Sequence, residues 1–192
     1  MANRKVRTRT LVGVNREGLY KDWAKRGFTK GCEVGVKEGV NAKAMIDIIP
    51  NLELLLVDPY MKYEYKHFKS HKKWQWHQPT MDKIRQTALK TLSRANVRWL
   101  MTTSIPATAC IDDESLDFVY IDGNHTLDFV MQDILSWSRK VRKGGVISGH
   151  DYRVDGANTA VRAYAKHHKL EICLTDNEME PKKRQISWCI DK

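Results

Sequence analysis

Apolar positions along the chain come in two spacings. Short apolar runs occur at residues 32–36, 53–57, 97–101, 116–121 and 145–148. Runs of that length, bounded by turn residues, read as strands buried on both faces. Between them lie stretches of helical period at 15–27, 41–49, 80–95, 127–141 and 158–168; in the first, Leu19 and Trp23 fall on one side. Two more apolar segments follow at 170–174 and 185–190, joined by a charged stretch without helical period. A parallel crossover takes a dozen or more residues, so this pair is predicted to be an antiparallel hairpin. Alternating strand and helix predicts a doubly wound α/β sheet of seven strands, the last antiparallel. No repeat or Pro/Gly-rich linker divides residues 1–192. One domain is expected, with 1–28 as an N-terminal tail and helix and 29–192 as the core.

Composition narrows the setting. The net charge is +10, with basic runs at residues 4–9, 62–73, 139–143 and 182–184. Such a surface attracts phosphates and nucleic acid, or is simply a solvated face. No apolar stretch reaches the ~20 residues of a membrane helix, and the basic start leads into no signal core. A cytoplasmic protein without membrane attachment is expected. The four cysteines are far apart and form no CxxC pair, which favours reduced, buried thiols over a zinc site. Residues 60–78 mix aromatics with lysines and histidines; they read as a lid over a ligand or as a segment with buried aromatics.

The chemistry gathers at the predicted strand ends. The first buried strand runs into Glu33-Val-Gly35-Val-Lys-Glu-Gly39. Gly35 and Gly39 permit a tight turn and close approach of a ligand to backbone, and Glu33 places a carboxylate able to pair with an ammonium group. The spacing is not the GxGxxG of dinucleotide enzymes. The second strand ends at Asp58, 23 positions after Gly35, where an acid can accept both hydroxyls of a ribose or cap the turn before Pro59. Asp122 ends the fourth strand, and His150-Asp151 ends the fifth. In a doubly wound sheet these ends face one crevice. Two carboxylates and an imidazole there could hold a divalent cation, or the aspartates could cap the following helices.

Taken together, these segments resemble class I S-adenosylmethionine (SAM)-dependent methyltransferases, which are Rossmann-like. Glu33 to Gly39 looks like their first motif and Leu54-Leu-Leu-Val-Asp58 like their second strand with its ribose acid. Leu116 to His125, and Val141 to Tyr152, are similar to a narrower group related to macrocin O-methyltransferases and cephalosporin hydroxylase-like proteins.

The resemblance implies that Glu33, Gly35, Gly39 and Asp58 bind SAM, that Ser104 lies near the adenine, and that Asp122 serves cofactor and catalysis. It implies Asp122, His150 and Asp151 as ligands of Mg²⁺ or Mn²⁺. His150 stands where relatives often carry an acid, which favours Mn²⁺. It makes His125 the general base, since a histidine ordinarily titrates near neutral pH; a surface or capping histidine is the other reading. The function implied is O-methylation of a small-molecule or sugar hydroxyl. The basic charge keeps open a nucleic-acid methyltransferase, although no Asp/Asn-Pro-Pro-aromatic motif follows the fourth strand. A non-catalytic SAM- or RNA-binding module is the third reading. The expected partners are a small-molecule or glycan acceptor, nucleic acid, and a second copy of the chain in a possible homo-oligomer.

Overall fold

All five apolar runs are strands of one sheet. The computed structural model describes residues 6–62, 77–176 and 186–192. In chain order the elements are β1 (Thr8–Leu11), α1 (Arg16–Lys25), β2 (Lys30–Val34), α2 (Val40–Ile48), β3 (Glu53–Val57), α3 (Gln78–Thr91), β4 (Val97–Leu100), α4 (Ser104–Thr108), β5 (Leu116–Ile121), α5 (Leu127–Lys140), β6 (Val141–Gly149), α6 (Asp155–His168), β7 (Ile172–Thr175) and β8 (Trp188–Asp191). The sheet order is β1-β7-β8-β6-β5-β2-β3-β4. Only β8 runs against its neighbours, β6 and β7.

Among the described residues the sheet therefore has eight strands, one more than the seven expected. The added strand, β1, has three exposed residues and pairs with β7 at the sheet's edge. It carries no apolar run, which is why the hydrophobic pattern does not reveal it. The five-residue helix α4 is also absent from that pattern. Most of the aromatic segment at 60–78 lies outside the described residues.

Helices cover both faces. On one, Leu19, Tyr20 and Trp23 of α1 and Met45 of α2 pack on Leu54, Phe118 and Tyr120; Trp23 and Phe118 stack with ring centroids 4.5 Å apart. On the other, Val130, Ile134 and Trp137 of α5 and Ala160, Val161 and Ala165 of α6 pack on Cys32, Val119 and Ile147. Burying a large apolar side chain contributes roughly 1.5–3 kcal/mol, so these two layers hold the sheet rigid. Helix α1 begins where Asn15 Oδ1 accepts from the Gly18 N–H at 3.0 Å, as a capping asparagine does.

The chain winds outward through β2, β3 and β4, then returns to place β5 on the other side of β2. Strand order thus switches between β2 and β5. Open α/β sheets bind ligands at the carboxyl ends of strands at such a point.

Candidate active site

Glu33 is the penultimate residue of β2 and is 1% exposed. Its Oε1 accepts from Asn41 Nδ2 at 2.7 Å. Asn41 Oδ1 in turn accepts from the Tyr20 hydroxyl at 2.5 Å. Glu33 Oε2 is buried and has no hydrogen-bond partner among the described residues. A buried carboxylate oxygen without a partner costs free energy that a cationic ligand would recover. Burial pushes this carboxyl well above its ordinary range, against the hydrogen bond from Asn41.

The loop after β2 turns at Gly35 (φ 90°) and Gly39 (φ 79°), values that favour glycine. Gly39 precedes α2 and gives its amino end no side-chain cap. Asp58, immediately after β3, ties this loop down: Oδ2 accepts from the Val36 and Lys37 N–H groups at 2.9 and 3.1 Å. Oδ1 accepts from the Tyr60 N–H at 2.8 Å. A carboxylate has about four acceptor positions, so three bonds leave it capacity for a ribose hydroxyl while it braces the glycine turn.

Ser104 opens α4; the third apolar run ends earlier, at Leu100. Ser104 Oγ accepts from Trp137 Nε1 at 2.8 Å and also hydrogen-bonds the buried Asp133 carboxyl. Its side chain therefore anchors α4 to α5.

Across the switch point, Asp122, His125 and Asp151 each offer a ligand atom within 4.8 Å of the others. His125 Nε2 stands 3.2 Å from Asp151 Oδ2. His150 Nδ1 lies 3.8 Å from Asp122 Oδ1 and 3.5 Å from Asp151 Oδ2. His150 is buried, and its backbone oxygen accepts from Trp188 Nε1 at 3.2 Å. Both imidazoles therefore stand beside the two carboxylates, His125 in the partly exposed group and His150 buried. Asp151 has φ 52°, a left-handed conformation that aspartate tolerates better than most residues. Burial pulls the His150 imidazole down but is outweighed by the Asp151 hydrogen bond and the Asp122 charge, which hold it above its usual value. Burial pushes the Asp122 carboxyl up, against the pull of His150 and His125.

Sequence reasoning missed Arg16, Tyr20 and Tyr120. Tyr120 faces Glu33 as its register partner on β5, and Arg16 hydrogen-bonds the Tyr120 hydroxyl. Helical period marks Leu19 and Trp23 but gives no sign that Tyr20 meets Asn41, and no local signal marks Arg16. Both are fixed by where α1 lands on the sheet.

The sequence matches the family described as Methyltransferase domain over residues 32–152, a span that holds every one of these strand-end groups. The chain belongs to that family. The methyltransferase fold is shared with solved structures of low identity. The O-methyltransferase TomG from Streptomyces achromogenes, in complex with SAM, has a TM-score of 0.66 at 11% identity, covering 94% of this chain and 82% of that one. The O-methyltransferase from Bacillus cereus, in complex with SAH (S-adenosylhomocysteine), has a TM-score of 0.64 at 15% identity, covering 95% and 84%. No curated protein matches the chain by sequence. No helix among the described residues is long and apolar enough to cross a membrane.

Proposed function

We propose that this methyltransferase-family protein is a SAM-dependent O-methyltransferase of a small-molecule or glycan hydroxyl, assisted by a divalent cation. The observation that carries the reading is the pairing, across the β2/β5 switch point, of two half-sites. One is the unpartnered Glu33 Oε2 beside the glycine turn. The other is the Asp122–His125–Asp151 group.

The cofactor fit rests on Glu33, whose buried oxygen suits an ammonium group, and on Asp58, whose carboxylate keeps capacity for ribose. When bound, SAM supplies an electrophilic methyl group on a sulfonium. The cation fit rests on donor chemistry: the Asp122 and Asp151 carboxylates, with the His150 imidazole beside them and positions left open, suit Mg²⁺ or Mn²⁺. Asp122 and Asp151 would hold the ion, which would lower the pKa of a bound hydroxyl. His125 takes the hydroxyl proton as the oxygen–methyl bond forms and the sulfur–methyl bond breaks. The contact from Asp151 to Nε2 fixes the ring and leaves Nδ1 as the proton acceptor. Holding the reacting oxygen in line with the methyl–sulfur bond is the chief task of such a site.

The test is transfer of labelled methyl from SAM to a panel of phenolic, sugar and polyketide hydroxyls, with and without chelator. Transfer that stops in chelator and returns with Mg²⁺ or Mn²⁺ supports the reading. Calorimetry showing no binding of SAM or SAH would sink it. The net charge of +10 supports a second reading, a nucleic-acid methyltransferase. It wins if label enters a defined RNA or DNA and not the small hydroxyls.

A further inference from the structure

The last two strands carry a pair of thiols that methyl transfer leaves unused. Cys173 of β7 stands directly opposite Cys189 of the antiparallel β8. Residues so opposed have Cα atoms roughly 4.5–5.5 Å apart and side chains on the same face of the sheet. That separation lies within the ~4.4–6.8 Å that a disulfide spans. The partner of Cys173 on its other side is Arg9 of β1, whose Nη2 donates to Cys173 Sγ at 3.4 Å. Three neighbouring strands thus set a guanidinium, a thiol and a second thiol in one row. Arg9 is exposed, Cys173 is 7% exposed and Cys189 is half-buried at the margin of the α1 layer. A small oxidant can therefore reach the row. The other two cysteines differ: Cys32 is buried under α5 and α6, and Cys110 is exposed in the turn after α4.

A guanidinium beside a thiol favours the thiolate, which is the nucleophilic form. We infer that Cys173 and Cys189, primed by Arg9, are a dithiol that hydrogen peroxide converts to a cross-strand disulfide and that a dithiol reductant restores. The Cys173 sulfur attacks one peroxide oxygen. The O–O bond breaks, and the departing hydroxide takes up the Cys173 proton as water. Cys173 is then a sulfenic acid, oxidised by two electrons. The Cys189 sulfur attacks the Cys173 sulfur, the S–O bond breaks, and the second hydroxide leaves as water with the Cys189 proton. Two thiols and one peroxide give one disulfide and two waters. Opposed Cβ atoms stand ~4.5–5.5 Å apart, beyond the ~3.5–4.5 Å of a relaxed disulfide. The hairpin must draw in to make the bond, which leaves it strained and easily reduced. None of these steps involves SAM.

The probe is hydrogen peroxide, one equivalent added to the whole reduced protein near neutral pH and followed by non-reducing peptide mass spectrometry. A Cys173–Cys189 linked peptide should accumulate, lighter by two hydrogens, and dithiothreitol should remove it. Cys32 should stay a thiol, and Cys110 should react at least about tenfold more slowly than the pair. Cys189→Ser removes the second thiol, so Cys173 should stop at the sulfenic acid and be captured by dimedone. Arg9→Gln should slow the linkage about tenfold. Wild-type protein that yields no linked peptide, with Cys173 unreacted or carried on to sulfinic acid, overturns the proposal. So does oxidation that begins at Cys110, or a linkage rate unchanged in Arg9→Gln. The linked peptide is sought in wild type, so a variant that fails to fold leaves that test intact.

Discussion

The backbone of Gly35 lies so close to Asp122 that a Cβ on residue 35 would stand 2.4 Å from the Asp122 carbonyl oxygen. The glycine turn after β2 and the end of β5 are thus in direct backbone contact. Gly35→Ala should force the two apart. Gly13 makes the control: it also has positive φ, but nothing lies within 4 Å of its added Cβ. Gly13→Ala should cost about 1–2 kcal/mol from conformation alone. Gly35→Ala should cost more in thermal unfolding and weaken SAH at least about tenfold, roughly 1.4 kcal/mol. Equal effects from the two substitutions would mean that the close approach is unimportant.

The Asp122–His125–Asp151 group makes a graded prediction. His125→Ala should lower methyl transfer by about 10²–10⁴-fold and leave SAH affinity within about threefold. Asp122→Asn and Asp151→Asn should each lose most transfer and also weaken Mn²⁺ binding, read by paramagnetic relaxation of water. If His125→Ala loses Mn²⁺ as well, the imidazole is a ligand and the base lies elsewhere. If His125→Ala transfers methyl at the wild-type rate, the active-site argument fails, while the cofactor half can stand.

Asp133 gives a pH signature. Burial raises its carboxyl from 3.8 to about 6, against the hydrogen bond from Ser104. The folded state therefore binds this proton more tightly than the unfolded chain does. Its stabilising contribution is fully present below about pH 4 and is lost as pH rises through 6. The magnitude is on the order of 2–3 kcal/mol. Asp133→Asn removes the titration, so variant stability minus wild-type stability should climb between pH 4 and 6 in urea titrations. A flat difference would show that the carboxyl is not buried as described.

Cys173 and Cys189 are register partners on β7 and β8. The hydrogen bond from Cys189 holds the Cys173 thiol below its ordinary range; burial opposes this, and Arg9 Nη2 supports it at 3.4 Å. The same bond pushes Cys189 up, so Cys173 is the more acidic of the two thiols. Alkylation of Cys173 by iodoacetamide should then change little in rate from pH 7 to 9, as mapped by peptide mass spectrometry. Arg9→Ala should restore a steep rise. A steep rise in the wild type would contradict the pairing.

Much of this was legible in the sequence because the central strands are buried on both faces, and continuous apolar runs mark them. The glycine turn and the strand-end acids were legible because each follows such a run directly. Other features depend on tertiary context. Thr8–Leu11 is an edge strand with little buried surface, so its residues carry no strand signal until β7 is beside them. Ser104 reads as a polar residue after a strand, but its hydroxyl is committed to Trp137 and Asp133 from another helix. Asp58 reads as a ligand acid, and only the folded loop shows that it also fastens residues 36, 37 and 60. His125 and His150 differ in burial, which chain spacing alone does not tell, and both come to stand beside the Asp122 and Asp151 carboxylates.

The position of β8 has a consequence for when the protein becomes competent. β7 reaches the rest of the sheet only through β8, and β1 only through β7. Asp176, just past β7, accepts from the Gly13 N–H at 2.8 Å and so holds the turn that launches α1. During synthesis β2 to β6 can pair in turn as they emerge, but β1 has no partner until β7 and β8 exist. β1 is therefore the strand whose pairing closes last, and the turn at Gly13 is fastened only once the strands furthest from it in sequence are in place.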